Sequence, residues 1–383
     1  MKNPFVFGIE VSGKQFTDRK DEISEIKSDL LSGQSVIVYS PRRYGKTSLV
    51  KKILGELKNE VVTAYIDIYP ITSKEGLAET FAGKVTSSAF TKIDEMINAA
   101  REILPDVSPK ISVKYEPAEI EFSIKGKERD MDKIFLESMD VPQKIAGKKN
   151  KRVIVAFDEF QEIRRLNGDE IERIMRSHFQ SQRDVSYIFL GSKKHMMKDI
   201  FENKNKPFFR FGKHISLKKI PGKEFSEFIK NNFRDTGIKA GDEIIKNILD
   251  LTQCHPHYTQ QICHEIWYAV AAKENQEINA GDIDEAVEKV LINQNDAYLS
   301  IWDAATKGER AILIALASGE TSFFSSKTID EYNMVSQSHA QRSLEGLERK
   351  EVIEKVNGKY EIDIFFSEWI KRKIIQIRPQ AHS

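Results

Sequence analysis

The sequence predicts an α/β protein: an open, mainly parallel sheet, continued by helices and a small helix-and-hairpin module. Three observations predict it. Val36-Ile37-Val38-Tyr39 is an apolar run that passes through a loop containing Gly45-Lys46-Thr47 into a helical pattern, Leu49 to Leu57. Val153-Ile154-Val155-Ala156-Phe157 and Tyr187-Ile188-Phe189-Leu190-Gly191-Ser192 lack polar alternation, as strands buried on both faces do. Helical stretches separate these strands, which is the alternation a covered parallel sheet needs.

The elements follow in chain order. Residues 1–19 read as extended, with Pro4 and Gly8 as punctuation. Asp18 is placed to cap a helix from about Lys20 to Leu31, which Gly33 stops. After the first strand and its helix come a strand over Val61 to Asp67 and a helical stretch from Lys74 to about Ile103. Pro105, Pro109 and Pro117 punctuate residues 104–128. There Ile111 to Tyr115 and Ile120 to Ile124 alternate with period two, which predicts a hairpin inserted between elements of the main sheet. A helix over Met131 to Ile145, a loop at Gly147 to Asn150, the two buried strands and a short strand at His214 to Leu217 complete the first part. From Pro221 helices dominate, at 224–232, 243–251, 257–272 and 283–291. From about Trp302 the texture changes again. Helices at Glu309–Ala317, Ser325–Glu331 and Ser338–Lys350 precede a hairpin over Val352–Ile362 with an Asn357-Gly358 turn. Three helices and such a hairpin describe a winged helix-turn-helix. The expected domains are residues 1–220 with the hairpin insert at about 104–128, a helical domain over 221–300, and the winged helix over 301–383.

Composition sets the outer limits. A chain of 383 residues has room for two or three domains. With 40% hydrophobic and 31% charged residues it fits a soluble globular protein. Met1-Lys2-Asn3-Pro4 lacks the apolar core of a signal peptide. No apolar run approaches the roughly 18 residues that span a membrane. A net charge of +1 gives no global basic field for nucleic acid. Cys254 and Cys263 make no disulfide framework. A cytoplasmic protein without a membrane partner is the expectation.

The loop carries the chemistry. Ser40-Pro41-Arg42-Arg43-Tyr44-Gly45-Lys46-Thr47-Ser48 follows the pattern G-x-x-x-x-G-K-[ST], with Ser40 at the first position. Amides at a helix N-terminus are unpaired and carry partial positive charge, so they bind anions. Lys46 can reach the β- and γ-phosphates of a nucleotide, and the Thr47 hydroxyl can ligate Mg²⁺. Asp158 ends a buried strand, where a Walker B carboxylate holds Mg²⁺, and Glu159 is placed to polarise an attacking water.

With these motifs the chain resembles the archaeal-type P-loop ATPases of the AAA+/STAND assemblage, relatives of Orc1/Cdc6-like initiators. The resemblance covers nearly the whole chain. It is carried by Phe16 to Glu22, Pro41 to Ser48, Phe157-Asp158-Glu159-Phe160-Gln161, Gly191-Ser192, Phe208 to Gly212 and Phe365 to Trp369. It implies an ATPase that acts as a nucleotide-dependent switch with slow hydrolysis, using ATP or ADP and Mg²⁺. It implies that Phe16 and Arg19 lie beside the adenine and that Ser192 is a sensor-1 residue; a simple capping serine is the alternative. Arg210 stands where an arginine finger is found, or else is a structural cation among aromatics. Pro256 and His257 open the helix that touches the nucleotide from a lid over 221–300. Cys254, His255, His257, Cys263 and His264 cluster in sequence, but their spacing fits no zinc pattern well, and buried thiols are the alternative. Gln337, Ser338, His339, Gln341 and Arg342 could meet DNA, with Lys355 and Lys359 on the wing, while Glu345, Glu348 and Glu351 dilute the charge. A DNA-binding initiator or regulator, or an ADP-locked protein-interaction scaffold, are the other functions this pattern admits. A protein partner and a homo-oligomer are further possibilities.

Overall fold

Five parallel strands organise the first part of the chain, and alternation within them sends side chains to two separate cores. The computed structural model describes residues 2–376 apart from 12, 18, 105–107, 113–118, 124–127, 274 and 357. The expected Asp18 cap, Pro105, Pro117 and Asn357 lie outside the described residues. Two units divide the chain: Glu10–Ile220, and Met1–Ile9 with Pro221–Ser383.

In the first unit α1 (Lys20–Leu31) leads to β1 (Val36–Tyr39), α2 (Lys46–Leu57), β2 (Val62–Asp67), α3 (Lys74–Ala89) and α4 (Ile93–Ile103). Then come β3 (Ser108–Ser112), β4 (Glu119–Ser123), α5 (Glu128–Met139), α6 (Val141–Lys149) and β5 (Val153–Asp158). A 3-10 helix (Phe160–Leu166), α7 (Gly168–Phe179), β6 (Val185–Gly191), α8 (Lys194–Phe201) and β7 (Lys213–Ser216) complete it. The sheet order is β2-β5-β6-β1-β7, every neighbouring pair parallel. On β5, Ile154 and Ala156 join the core under α1 and α2. Val155 and Phe157 join the core on the other face. This period of two explains why both-sided burial leaves a strand without polar residues.

Some expectations need correction. The stretch from Lys74 to Ile103 is two helices, because Phe90 takes an extended backbone and is buried in the core. The helix expected over Met131 to Ile145 is also two, since Pro142 in the first turn of α6 starts a new helix. That helix runs through the loop expected at 147–150 and stops at Asn150, which is left-handed. The predicted hairpin forms a separate two-stranded sheet, with Ile111 opposite Ile120. Its first strand begins at Ser108 rather than Ile111.

The second unit contains α9 (Gly222–Asp235), α10 (Asp242–Thr252), α11 (Pro256–Ala271) and α12 (Ala280–Asp303). After them come α13 (Lys307–Ala317), α14 (Ser326–Glu331), α15 (Gln337–Arg349), the β8–β9 hairpin (Ile353–Val356, Lys359–Ile362) and α16 (Ile364–Ile370). Residues 2–9 pack here: Asn3 Nδ2 donates to the His264 carbonyl at 3.1 Å, and the Phe5 ring lies 4.6 Å from that of Phe233. α12 runs past the expected helix end at 291, so one rod serves both the helical group and the winged helix. Asp363 bolts them together. Its Oδ1 accepts the amides of Phe365 and Phe366, at 3.0 and 2.9 Å, and its carboxylate also takes the hydroxyls of Tyr258 and Tyr298. Among the described residues no helix is long and apolar enough to cross a membrane.

The aromatic stack beneath the sheet is the most demanding packing. Phe157 lies parallel to Phe81 at 5.6 Å and to Phe179 at 6.0 Å, and Phe179 stacks on Tyr187 at 3.9 Å. Truncating a fully buried aromatic leaves a cavity that costs about 3–5 kcal/mol. Phe157→Ala should lower the unfolding free energy, read from a denaturant titration, by that amount. Phe324→Ala, at an exposed ring, should shift it by less than about 0.5 kcal/mol.

Candidate functional site

Between Tyr39 and Lys46 the chain must turn sharply from strand to helix. Arg43 and Gly45 do so with φ of 65° and 83°; the second suits glycine, and the first is strained for a side chain that carries a Cβ. Ser40 is buried, and Lys46 is only 6% exposed. The Lys46 ammonium donates to the carbonyls of Ser40 at 2.9 Å and Pro41 at 3.1 Å, with the Ser40 hydroxyl at 3.4 Å. A buried cation is thus held inside the loop by carbonyl dipoles. The first amides of α2 have no partner within the helix and add their own positive potential. Arg42 and Arg43 are exposed, Tyr44 is buried, and the Ser48 hydroxyl accepts the Val11 amide at 3.1 Å.

Parallel register brings the acidic pair to this loop. Tyr39 on β1 is level with Gly191 on β6, and β5 lies beside β6, so three strand ends are adjacent. Ligands of open α/β sheets bind at such carboxyl ends. Asp158 ends β5 and is buried. Its Oδ2 accepts the Thr47 hydroxyl at 2.6 Å, and its Oδ1 accepts the Glu159 amide at 2.8 Å. Glu159 itself has φ of 49°, a conformation that non-glycine residues keep only when their surroundings enforce it. Its Oε2 accepts the Ser192 hydroxyl at 2.7 Å and the Gln161 amide. Ser192 therefore donates to Glu159, and α8 begins after Lys193 with no side-chain cap.

Arg19 holds the loop from below. It has φ of 100°, is 5% exposed, and donates to Glu22 at 3.0 Å, to the Tyr44 carbonyl at 3.1 Å and to the Lys218 carbonyl at 3.0 Å. Phe16 packs against the core under α1 and α2 with the Lys52 ammonium 4.4 Å from its ring centre. Arg210 sits elsewhere. It is exposed, has φ of 55° and lies over the Phe209 ring at 5.1 Å. The nearby Lys213 amide bonds to Ser35, just before β1, so Arg210 is at the edge where the strands begin. At ~3.3 Å per residue a four-residue strand spans roughly 13 Å, which separates Arg210 from the loop at the strand ends.

Pro256 and His257 belong to the other unit. Pro256 opens α11 after the N-cap His255, and the His257 ring meets Phe7 edge-on at 5.8 Å. Neither Cys254 nor Cys263 is in a disulfide, and burial pushes the Cys263 thiol well up. Among the described residues no group of three or more His, Cys, Asp or Glu side chains is placed to hold a metal ion. On α15, His339 turns inward: a Cβ at Gly308 of α13 would collide with its ring. Gln341 is bonded to Glu345 at 2.7 Å, while Arg342 is exposed.

Three residues at the site have no role assigned from the sequence, although Gln161 stands in the Phe157–Gln161 motif. The Tyr65 hydroxyl donates to Asp158 Oδ2 at 2.6 Å, the same oxygen that takes Thr47. Burial raises its pKa, and the Asp158 charge raises it further, so it stays a donor. Asp67 ends β2 directly opposite Asp158. Burial raises its carboxyl pKa, and the charges of Asp158 and Glu159 add to that. The third is Gln161. Tyr65 and Asp67 lie two apart at the end of a strand, a spacing that puts both on one face, but only the pairing of β2 with β5 reveals what they face.

Known proteins show the same organisation. Residues 16–262 match the family model described as an ATPase domain predominantly from Archaea, and residues 296–372 match one described as a "probable winged helix domain". No curated protein matches the sequence. Among solved structures, a Walker-type ATPase of Pyrococcus abyssi superposes with a TM-score of 0.66 at 16% identity, covering 96% of this chain and 99% of that one. The Aeropyrum pernix ORC2 protein in ADPNP–ADP complexes gives 0.57 at 13% identity, covering 92% and 93%. Its ADP form gives 0.52 at 12% identity, covering 89% and 87%. The glycine-lysine-threonine loop, the buried aspartate at the next-but-one strand end and the extent of the match lead to one conclusion: the chain belongs to the family of ATPase domains found predominantly in Archaea.

Proposed function

We propose that this protein binds ATP at the Ser40–Ser48 loop, hydrolyses it slowly and works as a nucleotide-dependent switch. The observation that carries this reading is the 2.6 Å contact between the Thr47 hydroxyl and Asp158. It joins the loop to the acidic strand end, as a triphosphate site requires. The family membership and the adenine nucleotides bound to the Aeropyrum pernix ORC2 protein support the choice of nucleotide.

Lys46 would exchange the Ser40 and Pro41 carbonyls for phosphate oxygens, keeping its charge compensated throughout. The α2 amides would take the remaining oxygens. Hydroxyl and carboxylate oxygens are the hard donors magnesium prefers, and Thr47 with Asp158 supplies them side by side. Those two residues would hold the ion, which when bound offsets phosphate charge. Glu159 would orient the attacking water. Ser192, bonded to Glu159, is suited to link that carboxylate to the γ-phosphate. Phe16 and Arg19 would border the base, and Pro256 and His257 would touch the nucleotide from a lid over 221–300.

Coupling to the winged helix over 301–383 follows from the α11–α12–α16 junction. Tyr258 lies one turn into α11 and bonds to Asp363, the cap of α16. A shift of α11 on nucleotide exchange would therefore reach the winged helix directly, provided ATP and ADP favour different arrangements. His339 turned inward against α13 and Gln341 tied to Glu345 favour an intramolecular role for α15 over DNA contact.

Lys46→Ala should abolish ATP binding in a filter or calorimetric assay. Glu159→Gln should retain ATP binding and reduce turnover at least about 100-fold; equal turnover by Glu159→Gln and wild type would remove Glu159 from its role. Arg210, a strand length from its own loop, would serve as an arginine finger only toward a second copy. Mixing Arg210→Ala with Glu159→Gln chains should then restore a fraction of wild-type turnover, since each mixed interface keeps one intact pair. No recovery would leave Arg210 a structural cation.

A further inference from the structure

Gln161 is a fully buried polar side chain in the 3-10 helix that follows Glu159. Its amide nitrogen faces two carboxylates, bonding to Glu159 Oε2 and reaching Glu162 Oε1 at 3.4 Å. That environment fixes the orientation of the amide, because the opposite one would point oxygen at oxygen. Its Oε1 is buried and has no hydrogen-bond partner among the described residues. Such a group carries a stability cost. A residue chosen for packing alone would not carry that cost. The chain makes room for it as well: a side chain at Gly191, the end of β6, would run into Gln161 Oε1 and Met197. Finally, the carboxylate that Gln161 grips belongs to a residue with strained backbone, Glu159 at φ 49°. Strain of this kind persists where neighbours over-determine a conformation. The Ser192 hydroxyl, 2.7 Å from the same Oε2, grips it from the other side.

We propose that Gln161 is the positioning residue for Glu159, and that with Ser192 it clamps one oxygen of that carboxylate so the other is presented to water. In this role Gln161 acts on the reaction through Glu159, which its amide bonds directly. The inference rests on Glu159 being the water-orienting group, and the test separates the two ideas.

The test is Gln161→Met in the full chain, a change that keeps length and roughly the volume. Because it also removes a buried unpartnered oxygen, the thermal midpoint should stay within a few degrees of wild type. The kcat for ATP should fall at least about tenfold, while KM and the affinity for a non-hydrolysable ATP analogue change less than about twofold, the signature of an interaction needed for the chemical step. Adding Gln161→Met to Glu159→Gln should slow turnover no further. Wild-type kcat in Gln161→Met, with Glu159→Gln inactive, would overturn the proposal and leave the role of Glu159 standing. A chain that loses analogue binding, melts much earlier or fails to fold would also overturn it, by showing that the amide holds the fold rather than the carboxylate. Turnover at the wild-type level in Glu159→Gln would bring down both ideas together.

Discussion

One hydrogen bond organises the site: the Thr47 hydroxyl on Asp158, made between residues 111 positions apart. It exists because β1 and β5 flank β6 in a parallel sheet, so their ends arrive at the same edge. The loop offers positive potential and a hydroxyl, and the strand end offers a carboxylate. Neighbouring groups keep this pair in place. Arg19 braces the loop through the Tyr44 carbonyl, Ser48 anchors α2 to Val11, and the aromatic stack under Phe157 fixes the strand that carries Asp158.

The acidic groups are held by donors rather than left to solvent. Asp158 accepts Thr47, Tyr65 and the Glu159 amide; Glu159 accepts Ser192 and Gln161. Each donor lowers the cost of keeping a carboxylate in a buried setting. Preorganisation of this kind is what catalysis at a phosphate demands, because little covalent chemistry is left to the protein. The strained backbones at Arg19, Arg43 and Glu159 all lie within this arrangement.

The sheet was legible in the sequence where burial on both faces erased polar residues, as in Val153–Phe157 and Val36–Tyr39. The winged helix was legible from the Asn357-Gly358 turn and the amphipathic spacing of Ala340, Leu344 and Leu347. Helix breaks were not. Phe90 and Pro142 interrupt continuous helical patterns, and only the packing around Phe90 decides that it is extended. Site residues on motifs, such as Lys46, Thr47 and Asp158, could be named because the motif fixes their local geometry. Tyr65, Asp67 and Gln161, the last quoted only within a motif, had no role assigned, since what they touch depends on strand order and on the turn after β5. Arg210 shows a related limit: its sequence position leaves open which site it serves, and only the start of β7 shows that it lies at the edge where the strands begin.

The account depends most on Thr47 and Asp158 sharing one bound cation beneath a triphosphate. Calorimetric titration of ATP in the presence of Mg²⁺ and then of excess chelator tests this directly, with wild type and Asp158→Asn compared. Wild type should bind ATP much more tightly with Mg²⁺ than without it, and Asp158→Asn should lose that gain while keeping its Mg²⁺-free affinity. Equal dependence on Mg²⁺ in the two proteins, or no heat with ATP and Mg²⁺ in wild type, would contradict it.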